Sequence, residues 1–559
     1  MTPGPAADVR AMLRTLDLEG EADVPDLPWL EASWADPEPF FRALFDDARA
    51  FGAPLKTKIG VACDLYADAI QRHVAPSRAA FIWYSRRTGW RSISYADLDA
   101  LAGARATSWV AQGVLPGQVV AIVQELGADA LVSIAAALRL GACLSFVAPA
   151  GDLHVSRRLE NVAPDHVVVD AVRPPPLGAF AARALDTTAS GPAFRAPAYA
   201  YGPKEPWAQI VSPVAAPGDM PVKVSAERAL LHALRDGPFA LGLSPGAVIA
   251  APGAHPTQHV ASLLLASLVA GATYLHIEVG DIEADPSLLR AQPVDVLVVG
   301  DALRRAMTSR PPGPLPRLRL WLRHVDDPLD WAAWRAFVDA NGLEGVPAAN
   351  VLADAGEGCC AMFSPRRPGS VHARALPSAG APWKLGALTG GPAGDVGLFT
   401  RIDDGRADPA PAFVLARARG EYLFGGSVTP RRGARVYPAA EVESWASSLE
   451  SVRGACVVPV ASQKAGGGSL FSLCVFAPAG AKSRARAALD RDLAPRLGPD
   501  ALPDAIELFD VVPRGEGGKV DHPWCARQYL SGRLRVESDD PRFQTITALR
   551  GALTPPRSK

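Results

Sequence analysis

The sequence predicts an α/β protein with a large multi-layer α/β N-terminal domain and a small α+β C-terminal domain. Three observations support this prediction. The chain has 559 residues, which is more than a single hydrophobic core usually supports. Short apolar runs alternate with helical segments, a pattern typical of parallel sheets that are covered on both faces. From about residue 430 onward, the pattern changes to a compact set of strands with one helix.

Five apolar runs in the first part of the chain predict buried strands. Each run is short and contains almost only apolar side chains, as expected when neighbouring layers cover both faces of a strand. Repeated strand–helix–strand units predict right-handed crossovers and a layered core. These strands are predicted at 119–123, 143–147, 167–169, 247–250 and 296–299.

Two helices between these strands carry start and stop signals. Ser94 is a predicted N-cap with Asp97 three residues later, a variant of the capping box, and Gly113 is predicted to end that helix. A second helix over 131–140 is predicted to end at Gly141. The apolar stripe predicted for the first helix, which Arg105 interrupts, consists of Leu98, Leu101, Ala102 and Trp109.

Composition divides the chain into four predicted segments. Residues 1–75 are acidic and rich in aromatic side chains, and they are predicted to form a helical N-terminal extension. Residues 76–429 form the predicted large domain, residues 430–530 the small domain, and residues 531–559 a polar, loosely attached tail. The elements predicted for the small domain are strands near 455–460, 470–477 and 505–510 and a helix near 481–495.

The bulk composition argues against several classes of partner. A formal net charge of -1 gives no electrostatic reason to expect a nucleic acid or an anionic membrane. The first residues lack the basic region and apolar core of a signal peptide. The longest apolar run, 260–272, is too short to span a bilayer and predicts a buried helix. We therefore expect a cytoplasmic protein without a membrane span.

The seven cysteines are scattered and include no CxxC pair. Zinc sites usually take ligands at close, regular spacing, and disulfide frameworks are typical of small secreted domains. We therefore expect reduced thiols and neither a zinc site nor a disulfide framework. The adjacent Cys359 and Cys360 could oxidise or bind a soft metal, but a packing role is the simpler interpretation.

Near the C-terminus, a lysine follows two glycines after an apolar run. Residues 506–512 predict a strand, and Gly517, Gly518 and Lys519 follow in the loop that leaves it. Glycine tolerates backbone angles that other residues cannot adopt, so the loop can carry its lysine into a site elsewhere on the protein. The alternative is a solvated surface turn.

Several segments together resemble the adenylate-forming superfamily of acyl-CoA synthetases, peptide-synthetase adenylation domains and luciferases. Lys519, preceded by Gly518, occupies the place of the family's C-terminal lysine. Segments 34–41 and 64–73 are most similar to the acetyl- and acetoacetyl-CoA synthetase branch. The other segments that carry the resemblance are 93–98 (ISYADL), 113–122 (GVLPGQVVAI), 138–142 (LRLGA) and 432–443 (RGARVYPAAEVE).

The resemblance implies a two-step reaction. A carboxylate attacks the α-phosphate of ATP to give an acyl-adenylate and pyrophosphate, and a thiol of CoA or of a carrier protein's phosphopantetheine then displaces AMP. Negative charge develops on the phosphate oxygens in the first step, so donors and cations must be aimed at them. By resemblance, Lys519 bridges the acyl oxygen and the α-phosphate, and Glu357 binds Mg²⁺.

The phosphate-binding loop departs from the family's pattern. Its place is taken by VSPVAAPGDMPVK, residues 211–223. Pro213 and Pro217 each remove a backbone N–H, and Asp219 would put a negative charge near the phosphates, so this loop should hold a triphosphate weakly. An ordinary surface loop is the alternative interpretation. The residues that keep the pattern are Ser212, Gly218, Pro221 and Lys223.

Two further motifs are partly kept. Asp354, Gly356 and Glu357 stand in the family's Mg²⁺-associated motif, without the tyrosine that stacks on adenine and the threonine that meets phosphate. Two acids in a loop can hold Mg²⁺ through oxygen ligands or can simply be solvated. Asp408 is the nearest acid to the position of the family's ribose-binding aspartate, and Pro430 falls near its hinge acid, where a proline restricts rotation.

Two functions remain open from the sequence. The first is a divergent ATP-dependent acid–thiol ligase. The second is a catalytically impaired descendant that binds a ligand or a protein partner on the same scaffold, and an enzyme that only transfers a preformed adenylate lies between them. His255 and His259 flank the start of the helix predicted at 260–272, where the family often has a histidine or an aromatic residue near the acyl pocket. Packing is the alternative role for both.

Overall fold

In a computed structural model of the chain, most of the length between residues 54 and 510 is described. No described helix is long and apolar enough to cross a membrane. The described residues are 32–34, 36–47, 54–75, 77–170, 174–188, 196–211, 219–252, 255, 259–325, 327, 330–354, 358–364, 366–368, 376–380, 383–385, 389–391, 394–401, 411–418, 421–427, 431–432, 435–461, 469–510 and 520–530.

Strands alternate with helices through the first two thirds of the chain. A run of strands without intervening helices then leads to the small domain. In chain order the strands are β1 Ala79–Ser85, β2 Gly89–Ser94, β3 Val119–Val123, β4 Cys143–Phe146, β5 His166–Val169, β6 Pro206–Ile210, β7 Val222–Ser225, β8 Val248–Ala250, β9 Thr273–His276, β10 Val296–Val299, β11 Leu320–His324, β12 Pro347–Asp354, β13 Cys359–Phe363, β14 Arg367–Pro368, β15 Leu376–Pro377, β16 Trp383–Leu385, β17 Thr389–Gly391, β18 Gly394–Arg401, β19 Pro411–Ala418, β20 Glu421–Ser427, β21 Arg431–Arg432, β22 Arg435–Val436, β23 Gly454–Ala461, β24 Ser469–Phe476 and β25 Ala505–Phe509.

The α-helices connect these strands. A π-helical turn over Val260–Leu264 directly precedes α7, so the two form one buried helical segment. The helices are α1 Pro37–Asp47, α2 Leu65–Ala69, α3 Tyr95–Ala111, α4 Ala128–Leu140, α5 Asp152–Val162, α6 Ala226–Arg235, α7 Leu265–Val269, α8 Val279–Ala284, α9 Asp301–Ser309, α10 Trp331–Asn341, α11 Ala439–Ser447, α12 Lys482–Leu497 and α13 His522–Leu530.

The first and largest sheet has a parallel centre. Its strand order is β15-β13-β12-β11-β10-β8-β9-β1-β2, with β14 paired to β12. Alternate residues of β10 enter two different apolar cores: Val296 and Val298 belong to one, and Leu297 and Val299 to the other. Because successive side chains of a strand point to opposite faces, both faces of this sheet are covered.

A second sheet has the order β5-β3-β4-β6-β7. Strands β5, β3, β4 and β6 run parallel, and β7 pairs antiparallel with β6. The carboxyl ends of the four parallel strands therefore meet at one edge, which is where open α/β sheets usually bind ligands.

Strands β16–β22 pair antiparallel. A third sheet has the order β16-β18-β19-β20, with β17 paired to β18, and β21 and β22 form a separate two-stranded ribbon. This ribbon precedes the other elements of the small C-terminal domain.

The small domain has its own sheet and its own core. Strand β24 pairs antiparallel with β23 and parallel with β25, and α12 connects β24 to β25. On one face, the rings of Tyr437 and Phe471 stack with centroids 4.1 Å apart. On the other face, Cys456, Cys474 and Cys525 pack in a second apolar cluster. The predicted fold class, a large α/β domain followed by a small α+β domain, is confirmed.

The local predictions for the first helix are largely confirmed. Ser94 caps α3 and accepts a hydrogen bond from the N–H of Asp97. Arg105 belongs on its buried side because it donates hydrogen bonds to Asp129 and Ser133 of α4. The prediction that Leu101 belongs to the apolar stripe is wrong, since Leu101 is 49% exposed.

The cysteines are free thiols in the interior of the protein. All seven are buried and none forms a disulfide. Cys360 lies between elements of the large domain: its backbone N–H donates to buried Asp236, and its carbonyl accepts a hydrogen bond from Arg235. A packing position for the adjacent cysteine pair is therefore confirmed.

Candidate functional site

A cavity lies at the carboxyl edge of the second sheet. Its volume is about 90 Å³, and it is bounded by the ends of β4 and β6, by α5 and by the small domain. The large domain contributes to its lining Phe146, Ala150, His154, Arg158, Ile210 and His255. The small domain contributes Pro438, Leu497, Gly498 and Asp500.

Three segments of the large domain touch one another beside this cavity. Gly358, which follows the segment of the Mg²⁺-associated motif, has a positive φ of 63°. A Cβ at this position would lie 3.0 Å from Cβ of Ala261 and 3.2 Å from Cδ1 of Ile210. Ile210 ends β6, just before the segment that resembles the phosphate loop. The base of that loop, the buried helical segment and the β12–β13 turn therefore meet at one point.

Asp354 and Lys223 are the predicted site residues that the structure describes. Asp354 ends β12 in a half-buried position, and its carbonyl accepts a hydrogen bond from the N–H of Gly358 at 3.0 Å, which closes the β12–β13 turn. Lys223 lies on β7 opposite Gln209, with an exposed side chain. It does not line the cavity.

The other predicted site residues lie outside the described residues. They include the predicted catalytic lysine and the predicted magnesium ligand, so their roles stay predictions. These residues are Ser212, Gly218, Gly356, Glu357, Asp408 and Lys519.

The two candidate histidines take different positions. His255 lines the cavity, and its Nε2 lies 3.5 Å from Oδ2 of Asp500 in the small domain. His259 is buried directly before the helical segment that starts at Val260, and it does not line the cavity. Of the two, His255 is therefore placed to meet a ligand.

A buried carboxylate joins the small domain to the large one. Oε2 of Glu441 lies 3.1 Å from Nδ1 of His154 and accepts a hydrogen bond from Arg158 at 3.1 Å. Burial would raise the pKa of Glu441, but the hydrogen bonds and charges of His154 and Arg158 outweigh it, and the pKa lies below its usual value. Glu441 is therefore held as an anion by His154 and Arg158 of α5.

Two glycines allow the backbones of the domains to approach closely. A Cβ on Gly151 would lie 2.0 Å from the carbonyl carbon of Arg496, and one on Gly498 would lie 2.7 Å from Cβ of Ala150. Real Cβ atoms do not come this close, so the contact requires the absence of a side chain at both positions. The wall of the cavity that these residues form is thus tightly packed.

His154, Arg158 and Asp500 line the cavity but are not among the site residues that the sequence predicts. A signal was present for the first two, because they are four residues apart, on one face of the helix that follows β4. Glu441 belongs to the segment that carries the family resemblance, but its contact with α5 depends on how the domains meet. Nothing local marks Asp500.

Comparison with known proteins agrees with this architecture. The model of the family described as AMP-binding enzyme matches residues 69–203. No curated protein matches the sequence.

Solved structures match over most of the chain. The o-succinylbenzoate-CoA synthetase of Bacillus subtilis is 15% identical with a TM-score of 0.62, and the match covers 83% of this chain and 98% of that one. An amide bond synthetase from Marinactinospora thermotolerans is 16% identical with a TM-score of 0.63, over 83% and 99% of the two chains. The acetoacetyl-CoA synthetase of Streptomyces lividans is 15% identical with a TM-score of 0.61, over 98% and 97%.

These similarities confirm the predicted fold. At such identities a structural match shows the fold alone. The match to acetoacetyl-CoA synthetase covers more of this chain than the matches to the other two structures.

Proposed function

We propose that this protein, whose residues 69–203 match the model of the AMP-binding enzyme family, activates a carboxylic acid with ATP and transfers the acyl group to a thiol. The carboxylate attacks the α-phosphorus, the bond to pyrophosphate breaks, and an acyl-adenylate forms. The thiolate then attacks the acyl carbon, and AMP leaves with the electron pair of the broken bond. The acceptor is the thiol of CoA or of a carrier protein.

The observation that carries this proposal is the contact between Ile210, Ala261 and Gly358. It brings Ile210, which precedes the segment that resembles the phosphate loop, next to Gly358, which directly follows Glu357 in the sequence. Phosphoryl and acyl groups require donors and cations converging on one small volume. These two segments are far apart in sequence, so their meeting at the carboxyl edge of a parallel sheet supports a shared site.

Each predicted residue has a role in this proposal. Lys519 bridges the acyl oxygen and the α-phosphate. Glu357 would hold Mg²⁺, with Asp354 as a second carboxylate in the same closed turn, and the ion would neutralise charge on the phosphate oxygens. Ser212, Gly218 and Lys223 would contact the pyrophosphate, Gly356 would border the adenine, and Asp408 would bind the ribose.

The names of the similar structures favour a thiol acceptor. Two of the three are CoA synthetases, and the third is an amide bond synthetase. An amine is therefore the second acceptor to test. The carboxylic acid is to be identified by screening.

The size of the cavity favours a second candidate function, a catalytically impaired scaffold that binds a ligand or a protein partner. Pockets for molecules of drug size measure roughly 300–1,000 Å³, whereas this cavity measures about 90 Å³. ATP and an acyl group enter it only if the small domain moves away from α5. A protein whose small domain stays docked would retain the fold without the reaction.

Exchange of labelled pyrophosphate into ATP across a panel of carboxylic acids distinguishes the two candidates. ATP binding is measured in parallel by calorimetry. We expect exchange with at least one acid, lost in Lys519→Ala and kept in Lys482→Ala, a control lysine of the small domain that does not line the cavity. ATP binding should persist in both variants.

Each other outcome has a defined meaning. The absence of both ATP binding and exchange would reject the ligase and leave the scaffold. ATP binding without exchange would also reject the ligase and favour a nucleotide-binding scaffold. Exchange that survives Lys519→Ala would reject the proposed role of that lysine.

A further inference from the structure

Three side chains of the small domain place metal-binding atoms close together. The carboxylate of Glu443, the thiol of Cys456 and the imidazole of His522 all have a ligand atom within 4.8 Å of one another. They come from three elements that pack side by side: α11, β23 and the start of α13. We propose that these residues form a site for a divalent transition metal of the zinc class.

The carboxylate of Glu443 is already oriented for such a role. Its Oε1 accepts a hydrogen bond from the backbone N–H of Val457 at 2.7 Å. Its Oε2 lies 3.6 Å from Nε2 of His522. One oxygen is thus fixed by the backbone while the other faces the histidine, an arrangement in which an outer hydrogen bond orients a metal ligand.

A second thiol lies next to the cluster. Cys525 packs in the same apolar cluster as Cys456. It comes three residues after His522 on α13, so His522 and Cys525 share one face of that helix. Cys525 lies outside the set of three whose atoms are within 4.8 Å. It is the side chain placed to complete a fourth coordination position, which solvent would otherwise take.

The chemical types of the ligand atoms indicate which metal would bind at this site. Thiolate, imidazole and carboxylate together are ligands of zinc, usually in a tetrahedron. Mg²⁺ and Ca²⁺ prefer all-oxygen sites. Zinc–ligand bonds of about 2.0–2.3 Å put tetrahedral ligand atoms roughly 3.3–3.8 Å apart, so the cluster needs to contract by about 1 Å. His522 is half exposed at the first position of its helix, so an ion can reach this ligand from solvent.

The alternative is that these residues bind no metal. Cys456 would then be an ordinary core cysteine beneath a histidine–glutamate pair formed by His522 and Glu443. The chain offers such a pair for comparison: Nε2 of His276 lies 3.4 Å from Oε1 of Glu278. No described cysteine completes a group of three with that pair. In the described part of the chain, Glu443, Cys456 and His522 form the group in which three or more such ligand atoms lie within 4.8 Å of one another.

A metal bound at this site would also restrain the chain segment that precedes α13. His522 lies three residues after Lys519 in the sequence. A metal bound between α11, β23 and α13 would fix the end of the segment that carries this lysine. The proposal does not depend on the proposed ligase activity, since a scaffold would be stabilised in the same way.

Metal binding is tested on the full chain, purified without a histidine tag and freed of metal with a chelator. Zn²⁺ is titrated by calorimetry and Co²⁺ by absorbance, because thiolate-to-cobalt charge-transfer bands report sulfur ligation. We expect one equivalent of each metal, thiolate bands with Co²⁺ and a higher thermal midpoint with Zn²⁺. Mg²⁺ should produce neither the bands nor the shift.

Variants identify the ligands. His522→Ala removes a half-exposed side chain and should weaken Zn²⁺ binding roughly tenfold or more, while Cys456→Ser should remove or strongly reduce the Co²⁺ thiolate bands. The matched control His276→Ala should bind Zn²⁺ like the unaltered chain. Three results would each overturn the proposal: a thermal midpoint indifferent to Zn²⁺, Co²⁺ bound without thiolate bands, or equal Zn²⁺ affinity in His522→Ala and His276→Ala.

Discussion

Arg158 and Glu441 form a buried ion pair that joins the two domains, with Nη2 of Arg158 3.1 Å from Oε2 of Glu441. The two side chains are 8% and 3% exposed. His154 contacts the same carboxylate oxygen. This pair lies at the wall of the cavity, so the docking of the small domain and the accessibility of the candidate site depend on the same contact.

Removing the Glu441 carboxylate should destabilise the docked state. In Glu441→Ala, Arg158 stays buried without its anion, and the loss of one partner of a buried pair typically costs about 3–5 kcal/mol. Urea unfolding should show this decrease, and limited proteolysis should cleave faster between the domains. Asp492→Asn removes an exposed partner of Arg491 in the same domain and should leave both measurements unchanged. Equal stability of Glu441→Ala and the unaltered chain would contradict the prediction.

A methyl group on Gly151 should undock the small domain without disturbing the large one. Gly151 has φ of -77°, which alanine adopts freely, but its Cβ would lie 2.0 Å from the Arg496 carbonyl carbon. We expect Gly151→Ala to increase the radius of gyration measured by small-angle X-ray scattering. Gly127 also caps a helix, with only the Glu125 carbonyl oxygen near its virtual Cβ, at 4.0 Å. A similar increase in Gly127→Ala would show that the effect does not arise from this contact.

Gly358→Ala should separate the β12–β13 turn from the base of the phosphate-loop segment. The new methyl group would press on Ala261 and Ile210 at 3.0 and 3.2 Å. Gly342 is the matched control, because its φ of 62° is almost the same and its Cβ would meet nothing within 4 Å. Both variants carry the backbone strain of about 1 kcal/mol. Only Gly358→Ala should lower ATP affinity in calorimetry, and an equal loss in Gly342→Ala would attribute the effect to strain alone.

His73 should make the protein less stable in acid. Burial, and next the charge of Arg72, lowers the pKa of His73 from 6.5 to about 4. The unfolded chain therefore binds a proton that the folded chain excludes, and stability present above pH 6.5 is lost as the pH falls toward 4. This shift corresponds to about 3 kcal/mol. Urea unfolding of His73→Gln should show a smaller decrease between these two pH values, and an identical decrease would contradict the assignment.

The elements were predictable where their signals are local. Val119–Val123 and Val296–Val299 are strands at the predicted bounds, because an all-apolar run between helical segments fits a sheet covered on both faces. Ser94 and Gly141 begin and end helices as predicted, because capping depends on a few neighbouring backbone groups. The prediction for Leu101 is wrong because helical periodicity indicates which residues share one face of a helix. It does not indicate how much of that face the neighbouring elements cover.

The candidate site was predictable only in part. The sequence pointed to the segments around Asp354 and the phosphate loop through their resemblance to a family. It did not reveal His154, Arg158 or Asp500, because these residues become part of a site only where the small domain packs against α5.

The sequence by itself determined the fold class, the order of the elements and the family that they resemble, since these follow from the alternation of apolar runs and from short local motifs. The absence of a CxxC pair led the sequence analysis to expect no zinc site. Only the tertiary structure brings Glu443, Cys456 and His522 within 4.8 Å of one another. The physical reason is that these residues lie on separate elements of a packed domain, so their distances are set by packing and not by spacing along the chain.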